Sequence, residues 1–539
     1  MKKILSILFV FAVLTLQAQT AEKKDSTKEK APENWFNLDP GSDKINGVAT
    51  ERTYKELLKG KKSKTVIVGI IDSGVDYNHE DLKDVMWVNE DEIPGNGIDD
   101  DKNGYIDDIH GWNFLGGKDG KNVEKETLEL TRLYRSLNKK YENKTIKEVE
   151  NKKEFEFYLS VKHDFEKESK DALQQFTQMS FIKKLIEDFN AQVKDQLNIE
   201  TVTLKDLDKF QAKDEQQKQL LNFLKETLQK ENADMAQMLK ELTDAYQHFE
   251  DQVKYNLNLE YDPRNIIGDD YANSYERNYG NNDCNGPNSL HGTHVAGIIA
   301  ANRNNEIGIK GVADNVKIMA IRAVPDGDER DKDIANAIYY AVDNGAQIIN
   351  MSFGKTHSYD KAVVDKAVKY AESKNVLIIH AAGNSGENND KVNHYPCKKY
   401  EDTGKDAGNW LDVGALNWQP APDLPAPFSN YGKKTVDVFS PGVDIYSTKN
   451  GGGYVNESGT SMACPVVVGV AVVLKSYFPE LNATDIKNII IKSVNTNYKK
   501  TKVNQPKADK KVKFKKLSNT GGIVNLYNAV QLAAKMANK

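Results

Sequence analysis

The chain has 539 residues, enough for one large domain with an addition or for three domains of average size. Hydrophobic residues make up 39% and charged residues 28%, so we expect a sizeable core beside a strongly polar segment. The formal net charge of −5 is small for this length and argues against a protein that binds nucleic acid.

The N-terminus has the pattern of a secretory signal peptide. Lys2 and Lys3 precede an apolar run over residues 4–16, and Ala18 stands where signal peptidase would cut. The run is shorter than the roughly 20 apolar residues that a membrane-spanning helix needs. We therefore predict a signal peptide at 1–18, export to the periplasm or the exterior, and no integral membrane segment in the mature chain.

A polar, irregular leader follows over residues 19–64, with one short helix predicted over 53–58. Its length is close to the lower limit of about 40 residues for folding alone. We therefore expect a short leader rather than a full folded prodomain. Residues 65–71 then form a continuous run rich in β-branched residues, which is typical of a strand buried on both faces of a parallel sheet. This strand opens the first part of the main domain, residues 65–119.

Residues 120–260 differ in amino-acid composition, because they are rich in charged residues and almost free of glycine and proline. Apolar residues recur every third or fourth position, as in Phe181, Leu185, Phe189, Val193 and Leu197. The pattern predicts an all-α insertion of several antiparallel helices. We interpret the apolar stripe as packing surface rather than a binding groove.

The second part of the main domain, residues 261–539, alternates short apolar runs with helical segments. The predicted strands lie at 316–324, 346–353, 376–382 and 411–416, with helices at 334–344 and 359–373. Such alternation predicts an α/β fold with a mostly parallel sheet and helices on both faces. The only cysteines are Cys284, Cys397 and Cys464, for which a Cys284–Cys397 bridge and three free thiols remain alternatives.

Three short motifs carry residues that could act together on a substrate. Asp72-Ser73-Gly74 ends the first buried strand, His291-Gly292-Thr293-His294 opens a helix, and Gly459-Thr460-Ser461-Met462-Ala463 opens another. A serine hydroxyl needs a base within hydrogen-bond reach, and a neutral imidazole suits that role near neutral pH. A carboxylate on the other ring nitrogen fixes the tautomer and stabilises the imidazolium.

These motifs resemble the Asp, His and Ser signatures of the subtilase family of serine peptidases, in the order Asp, His, Ser. The resemblance covers about 65–117 and 284–535 and implies a subtilisin-like fold with Asp72, His291 and Ser461 as the catalytic triad. The segment 380–386 is similar to the family's oxyanion loop, with Asn384 as the side-chain donor beside the Ser461 N–H. The implied activity is serine endopeptidase cleavage of polypeptides through an acyl-enzyme, without a catalytic cofactor.

The resemblance also implies substrate-binding segments and a calcium site. The segments that would bind substrate backbone and wall the pocket for the P1 side chain are Ser352, Phe353 and Gly354 with Ala381, Ala382 and Gly383. One family-like calcium candidate is Asp81 with the loop 302–309.

An acidic loop offers a second possible calcium site from its own residues. Asp99, Asp101, Asn103 and Asp107 alternate around Gly104, a pattern that suits calcium but lacks the final glutamate of a full EF-hand. The alternative is a solvated acidic turn. His294 and His79 are interpreted as structural, because no third ligand at suitable spacing indicates zinc.

Two rival functions and one unexplained feature remain. An α/β-hydrolase esterase would need Gly-x-Ser-x-Gly ahead of its partners, whereas Ser461 comes last. A catalytically silent binding protein that uses the helical insertion is the other alternative. His291 follows Asp72 by 219 residues, and the insertion in that gap is either a cap that restricts access to Ser461 or a passive stabilising element.

Overall fold

The computed structural model describes residues 31–231 and 233–537, so the predicted signal peptide lies outside the described residues. The described chain divides into two compact units. The smaller comprises residues 130–261, and the larger comprises residues 31–129 and 262–537. The smaller unit corresponds to most of the predicted insertion.

The larger unit is built on a seven-stranded sheet. Its strands are β1 (Val66–Asp72), β2 (Gly111–Asn113), β3 (Val316–Arg322), β4 (Ile348–Met351), β5 (Leu377–Ala381), β6 (Trp410–Leu416) and β7 (Val438–Pro441). All neighbours are parallel, in the order β2-β3-β1-β4-β5-β6-β7. Two antiparallel hairpins accompany the sheet, β8 (Ile445–Thr448) with β9 (Tyr454–Glu457) and β10 (Lys502–Asn504) with β11 (Lys511–Lys513). The predicted α/β class is confirmed.

The helices in chain order are α1 (Thr50–Thr53), α2 (Glu129–Tyr141), α3 (Lys152–Leu197), α4 (Leu204–Leu207), α5 (Glu215–Glu231), α6 (Met235–Asp251), α7 (Leu290–Ala300), α8 (Asp331–Asp343), α9 (Lys361–Ser373), α10 (Thr460–Tyr477), α11 (Ala483–Ser493) and α12 (Leu526–Ala537). One described helix, α10, is long and apolar enough to cross a membrane, and 83% of it is buried inside the protein, as in a core helix.

Successive residues of each central strand face opposite sides of the sheet, so both sides are apolar. Val68 and Ile70 belong to the core that contains α7 and α10. Ile71 and Ile349 belong to the core that contains α8 and α9. The sheet is therefore the middle of three layers, and its carboxyl edge is where sites form in open parallel sheets.

The smaller unit has a core of its own, formed by α3, α5 and α6. Phe189 and Val193 on α3 are buried with Leu224 on α5, whereas Phe181 is 53% exposed. A strict four-residue repeat drifts by about 40° per step around a helix of 3.6 residues per turn. The buried face of α3 therefore moves off the predicted stripe, and Ile182 rather than Phe181 enters the core.

The leader packs as an integral part of the larger unit. Trp35 and Phe36 are fully buried, and Trp35 Nε1 donates to the Val443 carbonyl at 3.2 Å. The predicted short helix is present as α1 followed by one π-helical turn over Tyr54–Leu58. We call residues 31–58 the N-terminal arm.

All three cysteines lie in the described part of the chain, and all three are free thiols. Cys284 and Cys464 are buried. Of the two alternatives that the sequence left open, the structure has the free thiols rather than the Cys284–Cys397 bridge.

Candidate active site

An Asp–His pair lies at the carboxyl edge of the sheet. Asp72 is the last residue of β1, and His291 is the second residue of α7. His291 Nδ1 lies 2.7 Å from Asp72 Oδ1, with Asp72 buried and the His291 side chain 41% exposed. Because Nδ1 donates to the carboxylate, Nε2 keeps the lone pair that a general base needs.

Glycine allows this close approach of helix and loop. A Cβ atom at Gly292 would lie 2.0 Å from the Gly74 carbonyl oxygen and 3.1 Å from Asp72 Cβ. A side chain at position 292 would therefore push α7 away from the loop after β1. This contact explains why a glycine follows His291.

The charge on His291 is set by its neighbours. Burial disfavours the imidazolium, but the Asp72 carboxylate, through its charge and its hydrogen bond, outweighs burial and raises the pKa of His291 above its ordinary value. The Glu457 carboxylate acts in the same direction. Glu457, Asp72 and His291 line one cleft of about 360 Å³.

Ser461 is the second residue of α10, where the helix begins beside β4. Its Oγ donates to the Ser352 carbonyl at 2.9 Å, and Ser352 Oγ donates to the Ser461 carbonyl at 3.0 Å. Ser352 also lines the cleft that contains Asp72 and His291. The serine and the Asp–His pair therefore share one region, with the Ser461 hydroxyl bonded to Ser352 rather than to His291.

Two hydrogen-bond donors converge beside Ser461. Asn384 Oδ1 accepts from the Thr460 N–H at 2.8 Å and from the Thr460 hydroxyl at 2.9 Å, which leaves Nδ2 as a donor. A Cβ atom at Gly459 would lie 3.4 Å from Asn384 Nδ2 and 3.5 Å from Ser461 N. Both nitrogens therefore lie within 3.5 Å of one point beside Ser461.

Thr460 is a positioning residue that the sequence analysis missed. While its hydroxyl donates to Asn384, the same oxygen accepts from the Gly383 N–H at 3.1 Å. One side chain thus fixes the loop after β5 against the start of α10. The sequence feature that could have pointed to this role is the position of Thr460 directly before Ser461.

The predicted substrate-binding residues follow two adjacent strands. Ser352, Phe353 and Gly354 come directly after β4, and Ala381, Ala382 and Gly383 lie at the end of β5 and just beyond it. Because β4 and β5 are parallel neighbours, both segments lie at the same edge of the sheet.

The acidic loop is arranged differently from the predicted ligand set. Carboxylate oxygens of Glu92, Asp99 and Asp101 lie within 4.8 Å of one another. Glu92 was not predicted, because it stands outside the alternating pattern. Asp107 instead accepts backbone N–H groups of residues 95–97 at 2.8–3.2 Å. The Asn103 side-chain oxygen accepts from the Tyr105 N–H at 2.8 Å.

The second calcium candidate, Asp81, is tied to the loop that the family resemblance named. Asp81 Oδ1 accepts from the Asn302 N–H at 3.1 Å and from Asn305 Nδ2 at 2.6 Å. Its other oxygen accepts from the Tyr454 hydroxyl at 3.2 Å. Calcium at either place stays a prediction.

His294 and His79, which the sequence analysis interprets as structural, both make hydrogen bonds to backbone carbonyls. His294 Nε2 donates to Ile445 and Val455 at 3.0 and 3.1 Å, and burial lowers the pKa of His294 to about 4. His79 Nε2 lies 2.9 Å from the Gly453 carbonyl. Among the described residues, neither belongs to a group that could hold a metal ion.

Comparison with known proteins places this arrangement in a family. Residues 63–514 match the model of the subtilase family. A thermophilic serine proteinase of Bacillus sp. (strain AK1) is 45% identical over 188 residues, 34% of this chain and 42% of that protein. Subtilisin BL of Lederbergia lenta is 36% identical over 199 residues, 37% of this chain and 67% of that protein.

A solved protease structure from Pseudoalteromonas arctica is 29% identical, with a TM-score of 0.37 over 45% of this chain and 70% of that one. The chain spans about half the length of the first curated relatives that it matches, which include a thermostable alkaline protease of Halalkalibacterium halodurans. The family match, in contrast, runs through most of this sequence and includes Asp72, His291, Asn384 and Ser461. The chain belongs to the subtilase family.

Proposed function

We propose that this protein is an exported serine endopeptidase that cleaves polypeptides through an acyl-enzyme on Ser461. The observation that carries the proposal is the Asp72–His291 pair at 2.7 Å in a cleft shared with Ser352, the partner of Ser461. The curated relatives that match are named as proteinases, which supports the same reaction class.

The mechanism uses only groups of this chain and water. The Ser461 side chain turns about its Cα–Cβ bond from the Ser352 carbonyl to His291 Nε2, which takes the hydroxyl proton as Oγ attacks the scissile carbonyl carbon. The carbonyl oxygen becomes an oxyanion between Asn384 Nδ2 and the Ser461 N–H. His291 then gives its proton to the leaving amine, and water hydrolyses the ester by the reverse sequence.

Asp72 orients the base in this scheme. It holds the imidazole in the tautomer with Nδ1–H and stabilises the imidazolium that forms when Ser461 attacks. Its Oδ1 also accepts the Ser73 N–H at 2.7 Å, which fixes the carboxylate. The reaction needs no cofactor in this scheme.

A serine-directed fluorophosphonate tests the proposal. We expect covalent labelling of the wild type, no labelling of Ser461→Ala, and cleavage of an unstructured polypeptide only by the wild type. Thermal melting of Ser461→Ala should match the wild type, so that lost labelling reports lost chemistry. An unlabelled wild type, or equal labelling of both proteins, would favour the catalytically silent binding protein.

The calcium prediction has its own test. Removal of divalent ions with a chelator should lower the melting temperature, and added calcium but not magnesium should restore it. Calcium accepts about six to eight oxygen ligands in a flexible arrangement, whereas magnesium demands near-ideal octahedral geometry and gives up its water reluctantly. Glu92→Gln and Asp81→Asn would assign the effect to one loop or the other. A melting temperature that is the same with and without chelator would mean that the acidic loop is a solvated turn.

A further inference from the structure

The segments after β4 and β5 lie beside Ser461 and Asn384, respectively. Ser352 and Ser461 exchange two hydrogen bonds, and Gly383 directly precedes Asn384. The substrate residue whose carbonyl is attacked must place that carbonyl between Ser461 and Asn384. Its side chain, on the acyl side of the scissile bond, therefore lies next to 352–354 and 381–383.

The imidazole of His394 already stands between these two segments. A Cβ atom at Gly354 would lie 2.5 Å from His394 Cε1 and 2.6 Å from Nε2, and one at Gly383 would lie 3.0 Å from Cε1. The same ring edge thus packs against the backbone of both segments. Only glycine at 354 leaves room for it, since a side chain there would overlap the ring.

Neighbouring contacts fix the ring in this place. Lys355, next to Gly354, and Tyr395, next to His394, exchange two backbone hydrogen bonds of 2.8 Å each. The His394 ring also packs against the buried ring of His380, with 5.4 Å between centroids. The backbone beside His394 is therefore fixed by the Lys355–Tyr395 pair, and the ring packs against His380.

The ring is uncharged at neutral pH. Burial and the neighbouring His380 lower the pKa of His394 to about 4, against the opposite influence of Asp412 and the Ala381 carbonyl. His394 Nε2 is buried and has no hydrogen-bond partner among the described residues. A neutral ring does not attract an acidic substrate side chain by charge. The His394 ring therefore acts on the substrate through the volume that it occupies.

We propose that His394 fills the acyl-side pocket and restricts the peptidase to substrates with a small residue, glycine, alanine or serine, immediately before the scissile bond. The proposal rests on the proposed function and names its substrate class. A large apolar side chain at that position would meet the imidazole, which packs between Gly354, Gly383 and the His380 ring.

Two peptides that differ only in alanine or phenylalanine at this position test the inference. We expect the wild type to have at least about a 10-fold higher kcat/KM for the alanine peptide, the size of discrimination that pocket volume alone supplies. His394→Ala should raise kcat/KM for the phenylalanine peptide at least about 10-fold and leave the alanine peptide within about 3-fold. His394→Leu, which keeps the bulk without the ring nitrogens, should retain the wild-type preference.

The matched control is His163→Ala, at an exposed histidine on α3, which should leave the preference as in the wild type. A wild type that prefers phenylalanine would overturn the inference even if every variant failed to fold. An unchanged ratio in folded His394→Ala would also overturn it. Fluorophosphonate labelling separates the two proposals, because a labelled enzyme with the wrong preference refutes only the pocket, whereas an unlabelled wild type refutes the peptidase itself.

Discussion

The amide of Asn384, which we propose as an oxyanion donor, is oriented by a single side chain. Thr460 occupies the Asn384 carbonyl oxygen with two hydrogen bonds, so Nδ2 is the amide atom left to donate near Ser461. In the proposed mechanism the oxyanion forms only during the reaction, so the amide would contribute to the transition state and little to substrate binding.

We therefore expect Asn384→Ala to lower kcat by about 10²- to 10³-fold with little change in KM. Thr460→Val should lower kcat by a smaller factor, and Thr460→Ser, which keeps the hydroxyl, should restore most of it. Steady-state kinetics on one peptide would check both. A large rise in KM with unchanged kcat would contradict the assignment of Asn384 to the transition state.

The pH dependence of the reaction depends on His291. The base must be neutral to accept the serine proton, so activity falls as the pH drops through its pKa, which Asp72 and Glu457 hold above the ordinary histidine value. Glu457→Gln removes one of the two negative charges. We expect the acidic limb of kcat/KM against pH to move to lower pH in this variant.

The matched control for this shift is Asp444→Asn, just before β8, whose carboxylate accepts a hydrogen bond from Trp418 Nε1 at 3.0 Å and does not act on His291. This variant should leave the limb in place. An acidic limb that stays fixed in Glu457→Gln would show that Glu457 does not act on the base. A limb that moves to higher pH would contradict the sign of the effect.

Candidate site residues that stand in a recognisable local motif could be singled out from the sequence. Contacts between segments that are far apart in the sequence could not. Asp72, His291, Asn384 and Ser461 were each singled out by a short local motif, and their roles stay predictions. The place of His394 depends instead on the pairing of Lys355 with Tyr395, 40 positions apart in the numbering. No sequence pattern indicates such a pair.

The N-terminal arm is an element whose role the sequence did not reveal. Its polar composition predicted a short, irregular leader, yet Trp35 and Phe36 belong to the main core. Two isolated aromatic residues in a polar stretch form no periodic pattern, and their partners come from the far end of the chain. The strands and helices of the main domain, in contrast, followed their predicted alternation closely.

Removal of a buried aromatic side chain from this arm should destabilise the folded protein. We expect Trp35→Ala to lower the free energy of unfolding by about 3–5 kcal/mol, from lost burial and the cavity left behind. Urea unfolding followed by fluorescence and circular dichroism would measure it. Val392→Ala, at a side chain 40% exposed, is the control and should change stability by less than about 0.5 kcal/mol. Equal stability of Trp35→Ala and wild type would mean that the arm is not part of the cooperative fold.

At the scale of the whole molecule, buried ion pairs hold the segments of the larger unit that flank the smaller unit in sequence. Lys355 Nζ lies 2.8 Å from Glu129 Oε2 and 2.9 Å from Asp331 Oδ1, and all three side chains are buried. Arg264, just after the smaller unit in sequence, pairs with Asp333 at 2.6 Å. These pairs join both flanking segments to the start of α8.

Breaking one partner leaves buried charge without compensation. We expect Lys355→Met to destabilise the protein by about 3–5 kcal/mol, because Glu129 and Asp331 lose their common cation. Lys121→Met removes the exposed pair with Asp119 and should cost no more than about 1 kcal/mol. Denaturant unfolding of the two variants would compare them directly. A similar small effect for both would show that burial does not strengthen the Lys355 pairs.

The N-terminal arm also constrains the order in which the molecule can be completed. The Val48 carbonyl accepts from the Leu526 N–H at 2.8 Å, and the Arg52 guanidinium lies 4.1 Å from the centre of the Tyr527 ring. The ribosome makes the arm well before α12, because synthesis runs from the N-terminus. Domains generally fold as units during or after synthesis. The arm therefore cannot complete these contacts until α12 has been made, and an early segment of the chain finishes its docking late.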